Sequence, residues 1–204
     1  MSSLASQQSW TTVHADVEIF EDIVVLDRGR AIHHSAQEEL VRNLSTVGPD
    51  RTRTHLLHVV ALKSPWCLGI YEEDARDAPI RALHTDHGWV ARWKNGVFRV
   101  GDGKAKKLGD YGISNLLLPP EILATSLRHP SAEVGEIKIN SAEIENQLIQ
   151  AAPQLVVLGS DHYQAVLLPD RGVIRRWEGI VNGDRAMSID IVVDRWDAPA
   201  EFRV

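Results

Sequence analysis

The stretch Trp89-Val90-Ala91-Arg92-Trp93-Lys94-Asn95-Gly96-Val97-Phe98-Arg99-Val100 decides the fold class. Two β-prone runs flank Asn95-Gly96, and Asn-Gly supplies the two positive φ angles that a type I′ turn needs, so the segment predicts a β-hairpin. The same grammar recurs toward the C-terminus. Tyr163 to Leu168, Val173 to Ile180 and Arg185 to Val193 read as strands, with turns at Pro169-Asp170-Arg171-Gly172 and Val181-Asn182-Gly183-Asp184. Leu155 to Leu158 reads as a further strand ahead of them, and an antiparallel meander accounts for the set.

Upstream, Val17 and Ile19 alternate against Glu18 before Ile23-Val24-Val25-Leu26, which predicts a strand, continuous or kinked near Glu21-Asp22. Ser35-Ala36-Gln37-Glu38 is a capping box, in which Ser35 and Glu38 satisfy amides that the first helical turn leaves unpaired. Leu40, Val41, Leu44 and Val47 follow at helical spacing, and Gly48-Pro49 ends that helix. His55 to Leu62 and Trp66 to Tyr71 predict two strands around a turn at Lys63-Ser64-Pro65. Glu72 to Pro79 has no apolar stripe and reads as an exposed acidic loop, after which Ile80 to His84 forms the next strand.

Leu116 to Leu118 and Glu121 to Leu127, separated by Pro119-Pro120, look like one short helix ending and another starting. Beyond His129-Pro130, Gly135 to Ile139 alternates as a strand. Asn140 with Glu143 caps a helix carrying Ile144, Leu148 and Ile149, and Pro153 closes it. Runs of hairpin-linked strands with few helices predict an α+β fold built on an antiparallel sheet. The expected organisation is a single α+β domain over 1–204. Strand, capped helix and hairpins occur from Val17 and again from Glu136, which suggests pseudo-symmetric halves, 13–130 and 131–204, sharing one core.

Composition narrows the function classes. A chain of 204 residues that is 44% hydrophobic and 25% charged can form one core, burying roughly 70% of the surface its unfolded form would expose. Against 22 Lys and Arg stand 28 Asp and Glu, a net charge of -6, whereas a nucleic-acid protein needs a clustered basic surface. Lys104, Lys106 and Lys107 follow Gly101-Asp102-Gly103 in what reads as a solvated turn, and the segment lacks the complete phosphate-loop pattern. Cys67 is the one cysteine, flanked by Trp66 and Leu68, and reads as a buried small hydrophobe in a reducing compartment. No run approaches the roughly 20 apolar residues that span a bilayer, and Met1 to Trp10 carries no signal pattern, so the expectation is a cytoplasmic protein with no membrane insertion.

Nine histidines are the unusual chemical resource. His33-His34 are adjacent and His55 and His58 are three apart in a predicted strand, so neither spacing makes a chelate. His84-Thr85-Asp86-His87 is the best constellation, because a turn there could converge two imidazoles and a carboxylate on a metal or form an acid/base pair. The competing account is a polar hairpin turn before Gly88-Trp89, since no further ligand is nominated. Ser160-Asp161-His162 poses the same choice and is not a triad, because triads assemble in space. No metal and no cofactor is assigned from the sequence. Among the tryptophans, Trp89 and Trp93 lie four apart in one predicted strand and share a face, while Trp177 and Trp196 sit in the meander. Most are expected in the core, and one at a sheet edge could anchor a partner helix.

The middle of the chain resembles the EspG-type chaperones of mycobacterial type VII (ESX) secretion. The residues are Leu56-Leu57-His58-Val59-Val60 through Trp66-Cys67-Leu68-Gly69-Ile70-Tyr71, the acidic loop, then Ile80-Arg81-Ala82-Leu83-His84-Thr85-Asp86-His87-Gly88-Trp89-Val90-Ala91-Arg92 and the Asn-Gly hairpin. A Leu-rich segment with Pro119-Pro120 and a strand running into a helix at Ile137 to Leu148 complete the likeness, which extends more loosely to Ser188. The resemblance implies a cytosolic α+β protein of two pseudo-symmetric halves that binds the helical tip of PE-PPE substrates and keeps them soluble for export. The chain is shorter than that family leads one to expect, and little room exists between Val17 and Leu56 for its first helical segment.

The expected function is therefore a non-enzymatic cytosolic binding protein, a secretion chaperone shielding a helical exported pair. Its expected partner-binding residues are Glu72, Glu73, Asp74, Arg76 and Asp77 of the acidic loop, which the resemblance places beside the substrate, with Trp89 and Trp93. Two alternatives stand beside it: an immunity or inhibitor protein whose acidic surface occludes a basic toxin, and a small metal-dependent hydrolase using His84, Asp86 and His87. The hydrolase reading requires those three side chains to converge.

Overall fold

The computed structural model describes residues 9–33, 51–72, 80–92, 98–102, 110–121, 123, 136–168, 170–200 and 202. Among them the chain forms β1 (Thr12–Asp22), α1 (Ile23–His33), β2 (Thr52–Leu62), β3 (Cys67–Glu72), β4 (Ala82–Thr85), β5 (Gly88–Arg92), β6 (Phe98–Asp102) and α2 (Ile113–Leu117). There follow β7 (Glu136–Asn140), α3 (Ser141–Ala151), a 3-10 turn (Pro153–Leu155), β8 (His162–Leu168), β9 (Val173–Val181) and β10 (Asp184–Trp196). The fold is α+β, with a ten-stranded antiparallel sheet in the order β6-β5-β4-β3-β2-β1-β10-β9-β8-β7. By internal contacts the chain divides into two compact units. One comprises Met1–Gln8, Glu18–His55 and Asn115–Asp190, the other Ser9–Val17, Leu56–Ser114 and Ile191–Val204.

The first unit contains the meander. β8, β9 and β10 pair in sequence, and Asn182 (φ 50) and Gly183 (φ 80) make the tight β9–β10 connection with both central residues left-handed, as a type I′ turn requires. Alternation puts Tyr163, Ala165 and Trp177 at 0% exposure, and the Tyr163 and Trp177 rings stack 5.0 Å apart. Helix α3 begins at Asn140, whose side-chain oxygen accepts from the Ala142 amide at 2.9 Å, the bond that defines an effective N-cap. Ile144 and Leu148, four apart, are buried, while Ile149 is exposed, as one apolar face of a helix demands.

Two local expectations are corrected here. Ile23-Val24-Val25-Leu26 is the first turn of α1, not the continuation of a strand. Asp22 ends β1 because its Oδ1 accepts from the amides of Val24 and Val25 at 3.0 and 3.1 Å, while its Oδ2 pairs with Arg51 Nε at 3.0 Å. Capping and the burial of Val25 outweigh the weak β preference of a Val-Val pair. Leu155 to Leu158 is likewise no strand. Pro153 starts the 3-10 turn, the Trp177 indole donates to the Leu155 carbonyl at 3.1 Å, and the Tyr163 hydroxyl engages both the amide and the carbonyl of Val157. Core side chains thus occupy the backbone groups that a ladder would have used. The helix expected after Ser35 lies outside the described residues.

The second unit holds β3 to β6 with Ser9–Val17, Leu56–Leu62 and Ile191–Trp196 from the longer strands. Val13, Ala15, Leu57, Val59, Ala61, Leu68 and Ile70 are buried on one side. Pairing places His58 opposite Tyr71, Val60 opposite Gly69, and Gly69 opposite Leu83, so these side chains share the other side. There Val60, Tyr71 and Ile80 form a small cluster packed by Leu83, Ala200 and Phe202. The two strands of the predicted hairpin are present as β5 paired with β6 in the register Val90 to Val100 and Trp89 to Gly101; the turn expected at Asn95-Gly96 lies outside the described residues.

Candidate functional site

Of the residues expected to meet a partner, Glu72 closes β3 with its carboxylate 68% exposed, 3.6 Å from Arg81 Nη1. Glu73, Asp74, Arg76, Asp77 and Trp93 lie outside the described residues. Trp89 is buried beneath its own hairpin, 6.5 Å ring to ring from His84.

The three residues of the hydrolase reading go separate ways. His84 faces into the core at 0% exposure, Asp86 Oδ2 accepts from the Trp66 amide at 3.2 Å, and His87 is exposed. Thr85 organises the turn: its hydroxyl donates to the Gly88 carbonyl at 3.0 Å and accepts from the amides of His87 and Gly88. This is the polar-turn geometry in which a short hydroxyl side chain substitutes for a backbone partner. No group of three or more His, Cys, Asp or Glu side chains among the described residues is placed to hold a metal ion. Asp161 serves its turn as well, its Oδ2 accepting from Gly183 N at 3.2 Å, while His162 Nε2 contacts Gln164 Nε2 at 3.2 Å.

Cys67 is half-buried, and burial, followed by the neighbouring Asp86 carboxylate, pushes its thiol pKa up. A raised thiol pKa disfavours the thiolate, which is the nucleophilic form of cysteine.

A cluster that spacing did not reveal joins three strands of the second unit. His58 Nδ1 lies 2.8 Å from Asp16 Oδ1, and the His58 ring lies 6.4 Å from that of His14 and 6.2 Å from that of Tyr71. His14 is 6% exposed, and its Nε2 donates to the Pro199 carbonyl at 3.2 Å. Burial first, then the Arg195 guanidinium and more weakly His58, hold the His14 imidazole below its ordinary value of 6.5, against the Pro199 hydrogen bond and the Asp194 carboxylate. His14 and Asp16 alternate along β1 as polar residues opposite Val13 and Ala15. That alternation was the available signal, but their partners stand 42 and 185 residues away.

In the first unit, Glu178 is buried and bonded through Oε1 to Arg176, with Arg185 at 3.7 Å. Arg176 also lies 3.5 Å from Asp190. Burial raises the Asp190 pKa, with Glu178 and Glu18 adding to it against Arg176 and Arg185. Ser188, opposite Glu178, and Asp190, opposite Arg176, place the network on one side of the sheet, where it fixes strand register.

Comparison with known proteins yields little. No protein-family model matches the chain. No curated protein matches its sequence. Among solved structures, the crystal structure of the Mycobacterium tuberculosis lipoprotein LppX is similar at a TM-score of 0.42 and 9% identity, over 98% of this chain and 97% of that one.

Proposed function

We propose that the chain is a non-enzymatic binding protein that shields a helical, exported protein pair in the cytosol, as the EspG-type resemblance implies. The observation that carries this reading is the element order across the resembling region. β2 and β3 lead to Glu72 at the start of the acidic segment, β4 and the β5–β6 hairpin follow, then the Leu-rich α2, then β7 running directly into α3 through its Asn140 cap. A further support is that His84, Asp86 and His87, the alternative catalytic set, are engaged in core packing and turn formation. In this reading the exposed Glu72 carboxylate lies at the rim of the contact, and the net charge of -6 keeps the unloaded chaperone soluble.

The test is co-expression with a PE-PPE pair, followed by size-exclusion chromatography with light scattering. A soluble equimolar complex is expected, weakened about fivefold by Glu72→Lys, the scale of one rim charge. A pair that remains insoluble and unbound beside the folded chain overturns the proposal.

A further inference from the structure

Asn-Gly occurs at two places in the chain, Asn95-Gly96 and Asn182-Gly183. The second pair forms the turn between Val181 and Asp184, which face each other on the β9–β10 ladder. Asn182 and Gly183 are both exposed and left-handed, and a Cβ added at Gly183 would meet nothing within 4 Å. In a type I′ turn the ladder closes on the flanking residues and leaves the central peptide, here the Asn182 carbonyl with the Gly183 amide, without a ladder partner. Asp161, just ahead of β8, supplies one: its Oδ2 accepts from the Gly183 amide at 3.2 Å. Asp161 is itself fixed, its amide donating to the Ile180 carbonyl at 2.8 Å and its carbonyl accepting from the Ser141 hydroxyl at 3.0 Å.

We propose that Asn182 is a deamidation site and that Asp161 holds it closed by keeping the Gly183 amide away from the Asn182 side chain. In the reaction the Gly183 nitrogen bonds to Asn182 Cγ and the Cγ–Nδ2 bond breaks. The Gly183 amide hydrogen leaves with Nδ2 as ammonia, and a cyclic succinimide remains. Solvent water then opens the ring at either carbonyl carbon, giving aspartate or isoaspartate at position 182. No oxidant, reductant or enzyme is required.

The geometry explains why Asp161 decides the rate. The first central residue of a type I′ turn has ψ near +30°, by mirror symmetry with type I, which directs the Gly183 nitrogen away from the attacking position. To reach Cγ, the peptide between Asn182 and Gly183 must turn over about the Asn182 Cα–C bond. That rotation swings the Gly183 amide off Asp161, so the bond to the carboxylate must break before the ring can close. No side chain stands in the way once it has broken, because Gly183 has none and its surroundings are open. The products matter to the hairpin. Either one places a new carboxylate between Asp161 and Asp184, and Asp184 is already paired with Arg28 at 2.8 Å. Isoaspartate also inserts an extra main-chain carbon into a turn whose register fixes Val181 opposite Asp184.

The test is incubation of the full chain at mildly alkaline pH, followed by tryptic peptide mapping with mass spectrometry. Cleavage after Arg176 and Arg185 isolates Asn182, and cleavage after Lys94 and Arg99 isolates Asn95, so both Asn-Gly pairs are read in one sample. Asp161→Ala is expected to raise the conversion rate at Asn182 about fivefold, the scale of one exposed hydrogen bond to a charged group, with the rate at Asn95 unchanged. Asp161→Asn retains an acceptor for the Gly183 amide and should stay nearer to wild type. In urea, wild type and Asp161→Ala should convert Asn182 at the same rate, faster than the folded wild type does. An Asn182 rate that Asp161→Ala leaves unchanged or slows, or an increase matched at Asn95, overturns the proposal.

Discussion

The indole of Trp89 on β5 covers Gly101, its direct partner on β6, so closely that a Cβ at residue 101 would clash with the ring atoms Cε2, Nε1 and Cζ2. An aromatic over a glycine on a neighbouring strand replaces the contacts that the glycine lacks and shields its backbone. Gly101→Ala is therefore expected to destabilise the protein by about 1–3 kcal/mol through overpacking. Urea denaturation measures the loss, and a red-shifted indole emission should accompany it. An alanine variant as stable as wild type, with unchanged emission, would show that the indole is not seated there.

Tyr163 carries a second structural load. Its hydroxyl satisfies the amide and carbonyl of Val157 inside the core. Tyr163→Phe leaves both groups buried with no partner from that side chain, at an expected cost of about 1–3 kcal/mol. For a chain of this length each kcal/mol corresponds to roughly 2–4 °C in Tm, so calorimetry resolves it. A Tm unchanged within a degree would contradict this account of why Leu155 to Leu158 is not a strand.

Asp22 separates β1 from α1. Asp22→Ala should cost about 0.5–2 kcal/mol from the cap alone. Asp22→Asn keeps an acceptor for Val24 and Val25, loses only the charge paired with Arg51, and should recover most of that stability. Equal losses in the two variants would assign the effect to the ion pair instead.

The pH dependence of stability has two opposing contributors. The folded pKa of His14 lies below its unfolded value of 6.5, so the unfolded chain binds the proton more readily. Its contribution is complete above pH 6.5 and is lost as the pH falls through that value toward the lower folded pKa. Asp190 is raised above 3.8, so ionisation costs the folded state, and stability from this residue increases as the pH falls through the folded pKa. Hence His14→Gln should flatten the decline below pH 6.5, while Asp190→Asn should stabilise at neutral pH and match wild type once Asp190 is protonated. Chemical denaturation across pH checks both, and either variant showing the wild-type profile would reverse its assignment.

Much of the architecture was legible from local patterns. Asn182-Gly183 between alternating runs and Asn140 ahead of Ile144 and Leu148 encode the β9–β10 turn and the start of α3, because turn chemistry and caps act over a few residues, and the β-prone runs of residues 89–92 and 98–100 pair as β5 and β6. Local pattern misled where side chains competed with the backbone. Ile23-Val24-Val25-Leu26 is β-branched and apolar, yet Asp22 two residues before Val24 turns it into helix; Leu155 to Leu158 is apolar, yet Tyr163 and Trp177 occupy its backbone groups.

The candidate sites divide in the same way. The pairing of His84 with Asp86 and His87 was a matter of proximity in sequence, and the fold sends one ring into the core and another to solvent. The contacts that matter at His14 come from Pro199 and Arg195, nearly the whole chain away. The sequence by itself determined the period-2 strands, the turns and the α+β class, since each rests on side chains within one turn or one pleat. Tertiary structure alone decided the neighbours of His14, the seat of Phe202 on Gly69 and the burial of Trp89, because strand order and register juxtapose residues whose separation along the chain carries no local signal.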